Sequence, residues 1–163
     1  MTNFGLERTL AREGISLRRT PVGDRHVARA MEETGAELGG EPSGHVVIRS
    51  LSSTGDGIRT ALQICSLLVS TGGPLSSIAD LEKTPQQLRN VAVRRRLPLD
   101  EVVALARAVA SAQDRLAGTG RVLLRYSGTE PLLRVMVEGA DAALVEELAD
   151  ALAKIAAREL EAR

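Results

Sequence analysis

Apolar residues recur at helical spacing along some stretches of the chain and alternate with polar ones along others. In FGLERTLARE, residues 4–13, Leu6 and Leu10 stand one helical turn apart and Gly14 follows, which predicts a short helix with a stop. ISLRRTPV, 15–22, predicts a strand. DRHVARAMEETG, 24–35, sets Val27, Ala30 and Met31 on one face and ends on Gly35, a second helix. HVVI, 45–48, predicts a short strand, and the glycine-rich stretch before it a loop. TGDGIRTALQICSLLVSTGG, 54–73, predicts a longer helix capped by Thr54 or Asp56 and closed by Gly72-Gly73.

Gly72-Gly73-Pro74 joins flexible residues to a fixed one and is the predicted domain boundary. Beyond it, LSSIADLEK (75–83) predicts a short helix capped by Ser76 or Ser77, and QQLRNVAVRR (86–95) a strand. Residues 98–118 predict a long amphipathic helix that starts at Pro98 or Asp100 and ends at Gly118. RVLLRY and LLRVMVEG predict two strands, and 140–160 a last helix with acids early and Lys154 and Arg158 late, as the helix dipole favours. The expected fold class is an incomplete mixed α/β layer domain over 1–73, then a small α+β open-sheet domain covered by helices over 74–163. The first segment has too few strands to bury both faces of a parallel sheet. Unpaired strand edge and exposed apolar surface are expected there, which leaves a homo-oligomer open.

Composition narrows the function. Phe4 and Tyr126 are the only aromatics, so the core must be aliphatic and stacking on bases is nearly excluded. Lys and Arg (21) balance Asp and Glu (21), which argues against a nucleic-acid partner. Cys65 is the single cysteine, so no disulfide within the chain and no multi-cysteine metal site is available; inside an apolar helical run it is expected to be buried. No apolar run approaches the ~18 residues a membrane span needs. The first residues carry no basic region leading an apolar core, so no signal peptide is predicted, and a cytoplasmic location is expected.

Five short stretches hold the candidate chemistry. RYSGTEP, 125–131, lies between the two late strands and brings together a guanidinium (Arg125), hydroxyls (Ser127, Thr129) and a glycine (Gly128) that lets successive N–H groups face one concavity. That set suits a phosphate; it also suits a hairpin loop whose hydroxyls satisfy local backbone groups. In GGEPSGH, 39–45, the glycines allow close approach of a ligand. Read as an extended piece, the stretch turns Glu41, Ser43 and His45 to one side, a carboxylate, a hydroxyl and an imidazole fit to read sugar hydroxyls, or else a plain polar loop. Asp24 and Arg25 sit at a strand-to-helix junction, where Asp24 reads as an N-cap and Arg25 as a solvated residue. STGDG, 53–57, lacks the lysine of a P-loop and reads as a cap. Arg94-Arg95-Arg96 reads as a solvated turn. No Asp-rich magnesium cluster, zinc-ligand pair or nucleophile elbow is present.

LGGEPSGH followed about eighty residues later by LLRYSGTEPLLRVMVEG, with TPVGDRHV and STGDGIRTALQ ahead and between, resembles the phosphohexomutase superfamily. Nearly the whole chain falls within the resemblance; Tyr126 stands where the family more often has Pro. The resemblance implies an enzyme of four domains, of which this chain is the later part of the third and all of the fourth. Met1-Thr2-Asn3 then matches an internal strand end, with missing N-terminal domains ahead of it. It further implies transfer of a phosphoryl group between a phosphoserine and a hexosamine phosphate through a bisphosphate, interconverting the 6- and 1-phosphates of glucosamine. A Mg2+ ion would assist, held by residues outside this chain, and no catalytic residue would lie in this chain. Glu41, Ser43 and His45 would hold sugar hydroxyls, Arg125, Ser127, Gly128 and Thr129 the phosphate that does not react, and Asp24 and Arg25 would line the cleft. A mannose or glucose phosphate substrate, or a free-standing sugar-phosphate-binding module without catalysis, are the alternatives.

Overall fold

Residues 2–77 and 81–161 are described by the computed structural model, and they fall into two units. The first holds Thr2 and Leu6–Glu82; the second holds Asn3–Gly5 and Lys83 onward. Gly72-Gly73-Pro74 lies within the first unit and closes its last helix, Gly72 donating its N–H to Leu68 O from a left-handed conformation. The expected class holds: a mixture of helices and small antiparallel sheets.

In the first unit, α1 (Phe4–Arg12, its first two residues counted with the second unit) and α2 (Asp24–Thr34) occur where the apolar spacing places them, and Gly35 ends α2. The sheet is a two-stranded hairpin, β1 (Leu38–Gly40) against β2 (Val46–Ile48), with Gly39 opposite Val47. LGG, expected as loop, is therefore a strand, because pairing with VVI supplies its backbone partners. The strand expected over 15–22 does not form. Among the described residues no other strand lies alongside it, and a strand exists only through its ladder partners. α3 (Gly57–Thr71) is capped by Asp56, whose carboxylate accepts the N–H of Ile58 and of Arg59 at 3.0 Å each.

α3 buries none of its side chains. Ile58 and Val69 are 76% and 84% exposed, and Cys65, expected inside, is exposed too. The core of this unit is Val27, Met31 and Val47. Gly39 belongs to that packing. A Cβ there would sit 2.6 Å from Val27 Cγ1 and closer still to Met31 Sδ, so glycine at 39 lets α2 lie on β1. Gly39→Ala is expected to destabilise the first unit by about 1–3 kcal/mol through overpacking. Urea unfolding followed by amide exchange in α2 measures this, and an unchanged midpoint would reject the packing role.

The second unit is built on an antiparallel sheet of order β3-β5-β4, from β3 (Gln86–Ala92), β4 (Arg121–Tyr126) and β5 (Leu132–Glu138). Alternation sorts its faces: Leu133, Val135 and Val137 turn to one side and are fully buried. Against them pack α4 (Val103–Leu116), through Leu105, Ala112 and Leu116, and α5 (Ala142–Glu161), through Val145, Leu148, Ala149, Leu152, Ala156 and Leu160. Their spacing, four or seven residues on α4 and mostly three or four on α5, keeps them on one apolar helical stripe. Asp141 caps α5 by accepting the N–H groups of Ala143 and Leu144.

Three helix expectations shift. α4 begins at Val103 rather than at Pro98 or Asp100, because residues 99–101 form a turn in which Glu101 donates to Pro98 O. In the 75–83 stretch a single 3-10 turn, Leu75–Ser77, is present, and residues 81–83 are not helical; residues 78–80 lie outside the described residues. Asp24 is the first residue of α2 and Gly23 its N-cap, so the carboxylate of Asp24 accepts the N–H of Arg25 instead of capping.

Candidate functional site

In the first unit the stretch 41–45 is the turn of the β1–β2 hairpin, not an extended piece. Glu41 donates its N–H to His45 O at 2.9 Å, and Gly44 donates to Glu41 O at 3.0 Å with φ +93, a conformation that glycine adopts without strain. The side chains therefore do not simply alternate. Ser43 Oγ and His45 Nδ1 come together at 2.9 Å, exposed to solvent. Glu41 turns elsewhere: its Oε1 accepts the N–H of Gly23 at 2.8 Å, which ties the hairpin turn to the residue preceding Asp24 and Arg25. Asp24 and Arg25 are exposed, and Arg25 Nε faces His26 Nε2 at 3.4 Å. One carboxylate thus fixes the loop from within. The hydroxyl–imidazole pair remains on the surface, able to exchange its mutual bond for one to a ligand hydroxyl.

In the second unit Arg125, Ser127, Gly128 and Thr129 are brought together by the β4–β5 hairpin. Register places Arg125 directly opposite Arg134 and Tyr126 opposite Leu133. Like charges facing across a strand pair oppose folding, and little offsets them here. Arg134 reaches Glu130 Oε2 at 3.5 Å, an open and partly exposed ion pair. Arg125 has its Nε buried with no hydrogen-bond partner. A buried donor left unpaired costs about 1–3 kcal/mol, more for a charged group.

The loop itself divides into an inward and an outward part. Ser127 is buried, donates its N–H to Leu132 O at 2.8 Å, and accepts the N–H of Glu130 on its hydroxyl at 3.3 Å. Its polar groups close the hairpin. Gly128 and Thr129 are exposed, and among the described residues their N–H groups and the Thr129 hydroxyl have no partner. A Cβ at Gly128 would meet nothing within 4 Å, so open space lies against that backbone. The free donors are thus Arg125, both tip amides and one hydroxyl, all suited to an anion.

The sequence singled out the loop but not what surrounds it. Tyr126 donates its hydroxyl to Leu97 O at 2.8 Å, and burial pushes its phenol up from the ordinary value. Arg96, read as solvated, is bonded to the loop, and Arg134 faces Arg125 only through strand register. No local spacing announces either contact; the one signal available was that two strands joined by a short loop must set their arginines side by side. Among the described residues no group of three or more His, Cys, Asp or Glu could hold a metal. No helix among them is long and apolar enough to cross a membrane.

Comparison with known proteins extends over both units. The phosphoglucomutase/phosphomannomutase alpha/beta/alpha domain III family model matches residues 1–84, and the phosphoglucomutase/phosphomannomutase C-terminal domain model matches residues 88–155. The chain is 52% identical over 161 residues to a phosphoglucosamine mutase of Solidesulfovibrio magneticus, covering 98% of this chain and 36% of that protein. It is 48% identical over 162 residues to a phosphoglucosamine mutase of Symbiobacterium thermophilum, covering 99% of this chain and 36% of that protein. The chain therefore spans about a third of the length of these relatives. Among solved structures it resembles an Aspergillus fumigatus N-acetylphosphoglucosamine mutase with a TM-score of 0.77 at 20% identity, over 99% of this chain and 38% of that one, a likeness of fold.

Proposed function

Because this chain belongs to the phosphoglucomutase/phosphomannomutase family, we propose that it supplies the sugar-reading and phosphate-holding loops of a phosphoglucosamine mutase, which interconverts glucosamine 6-phosphate and glucosamine 1-phosphate. Identity of 52% and 48% to phosphoglucosamine mutases over nearly the whole chain supports that substrate over a hexose phosphate. A cytoplasmic setting goes with this reading.

The observation that carries it is the pair of arginines in register with a buried, partnerless Arg125 Nε. A doubly charged phosphate monoester would relieve both the facing charges and the unpaired donor, and the exposed amides of Gly128 and Thr129 would complete its shell. In the proposed reaction a phosphoryl group passes between a serine and a sugar hydroxyl, one P–O bond forming as another breaks. The loop here acts on the other phosphate of the substrate. Its binding energy orients the reacting end without touching it. Ser43 and His45 take sugar hydroxyls, with Glu41 holding their turn in place and Asp24 and Arg25 adjoining it.

Magnesium is expected for the whole enzyme, and an A. fumigatus N-acetylphosphoglucosamine mutase has been crystallised with GlcNAc-6P and magnesium. The described residues here do not fit a metal ion, and no role proposed for them passes through one. Titrating the 163-residue chain with inorganic phosphate, glucosamine and glucosamine 6-phosphate, followed by amide NMR, tests the reading. Gly128 and Thr129 are expected to shift with both phosphate compounds, and Ser43 and His45 with both sugars. Absence of a saturable shift at Gly128 and Thr129 refutes the phosphate assignment.

A further inference from the structure

Arg96 lies in the irregular segment after β3, within a run of three exposed arginines, yet its guanidinium is bonded to the loop rather than only solvated. Its Nη2 donates to Ser127 O at 2.7 Å and to Glu130 O at 3.0 Å. These carbonyls bracket the exposed tip formed by Gly128 and Thr129. The guanidinium carbon stands 6.0 Å from the centroid of the Tyr126 ring, and the next residue, Leu97, accepts the Tyr126 hydroxyl. Val93 adds a third fastening by donating its N–H to Pro131 O at 2.9 Å. One short segment thus holds the loop at its entry, on both sides of its tip and at its exit.

The geometry of the peptide bond gives this bracing a direction. Ser127 C=O and Gly128 N–H belong to the same planar trans peptide unit and point opposite ways. A donor that fixes the carbonyl therefore also aims the amide, away from the donor. Glu130 O belongs to the peptide that precedes Pro131, which has no N–H, so the second bond fixes the far end of the tip without consuming or orienting a further amide. Without Arg96, the 127–128 peptide could rotate toward solvent and Gly128 N–H with it.

We propose that Arg96 is a positioning residue of the anion grip, setting the direction of Gly128 N–H and the span of the tip before a phosphate arrives. The assignment rests on the reading of this loop as a phosphate site. It accounts for the use of arginine: one nitrogen spans two carbonyls while the flat group lies beside an aromatic ring, which an ammonium does not reproduce. Donors fixed in advance need no reordering when the ligand binds, and the gain appears as affinity.

The test is phosphate titration of the full 163-residue chain, unaltered and as Arg96→Ala and Arg96→Lys, read at the amides of Gly128 and Thr129 and at the Nε signals of Arg96 and Arg125. Dispersed β5 amide signals report that each variant is folded; if Arg96→Ala is not, Arg96→Lys carries the comparison. Loss of one charge-assisted brace is expected to weaken phosphate binding about tenfold in Arg96→Ala, with Arg96→Lys between it and the unaltered chain. Phosphate is expected to move the Arg125 Nε signal and leave that of Arg96 nearly still. If the unaltered chain binds and both variants bind within about twofold of it, on the scale of affinity changes, the assignment of Arg96 fails while the phosphate reading stands. If Arg96 Nε moves as far as Arg125 Nε, Arg96 is a ligand and the positioning role is overturned. An unaltered chain with no saturable shift removes the phosphate reading and this inference with it.

Discussion

Replacing Gly120 with alanine is expected to disrupt the second unit severely. Gly120 enters β4 where the strand passes against the end of β5. A Cβ at this position would fall on the carbonyl oxygen of Glu138 and lie 2.6 Å from Gly139 Cα. Those are backbone atoms, so no side-chain rotation relieves the clash, and the strand pair itself must separate. The damage spreads from there. Arg121, the next residue, is bonded to the fully buried Glu138, whose second oxygen accepts the N–H of Phe4 at 3.0 Å. A backbone shift would leave part of that carboxylate without partners in a buried place. Overpacking of this kind costs roughly 3 kcal/mol or more where the backbone cannot yield. A unit of this size has about 4–12 kcal/mol to lose. Hydrogen exchange at β4 and β5 amides measures the effect. Gly128→Ala, with open space around it, is the control and is expected to stay within about 0.5 kcal/mol. Protection in Gly120→Ala equal to that control would contradict the packing described.

The second large effect is expected to separate binding from stability. Arg125→Met keeps an unbranched apolar stem in the sheet and removes the guanidinium. Charged hydrogen bonds contribute about 1.5–3 kcal/mol each, so affinity for inorganic phosphate is expected to fall roughly 10- to 100-fold. Stability is expected to move the other way. The substitution takes away one of two charges facing across the hairpin and a buried donor without a partner, which favours the folded state by about 0.2–1 kcal/mol or more. Phosphate titration and urea unfolding of the same sample check both halves. A variant that is less stable and still binds would show that Arg125 serves the fold rather than the ligand.

The parts of the fold that were legible in the sequence are those with a local cause. The period of α5 and α4, the glycine after α2 and α3, and the two apolar runs of β4 and β5 all read directly, because each follows from one residue's geometry or from a short stretch's burial. What failed to read depended on a partner distant in the chain. Residues 15–22 have strand composition and no strand beside them. Leu38–Gly40 has poor strand composition and becomes a strand through β2. Cys65 sits in an apolar run, and burial was expected, yet α3 buries nothing. At the candidate site, residue identity pointed to the RYSGTEP loop, but not to its division into an inward Ser127 and an outward Gly128 and Thr129. The facing of Arg125 and Arg134, and the reach of Arg96 to two loop carbonyls, required register and a neighbouring segment. Glu41 was read by its chemistry as a ligand-facing carboxylate, and one of its oxygens is engaged by Gly23 N–H.

The unequal interiors of the two units bear on how this chain would melt. One rests on Val27, Met31 and Val47, the other on a continuous aliphatic interior between sheet and helices. Cooperativity follows the shared interior, so loss of structure should proceed in separate stages, and a single transition temperature would describe neither. The choice of probe then decides which stage is seen: Tyr126, the sole tyrosine in a chain without tryptophan, belongs to the better-packed unit, and its emission is blind to the earlier event. Helical circular dichroism, which sums over both, would begin to fall while the tyrosine signal still stood at its native level.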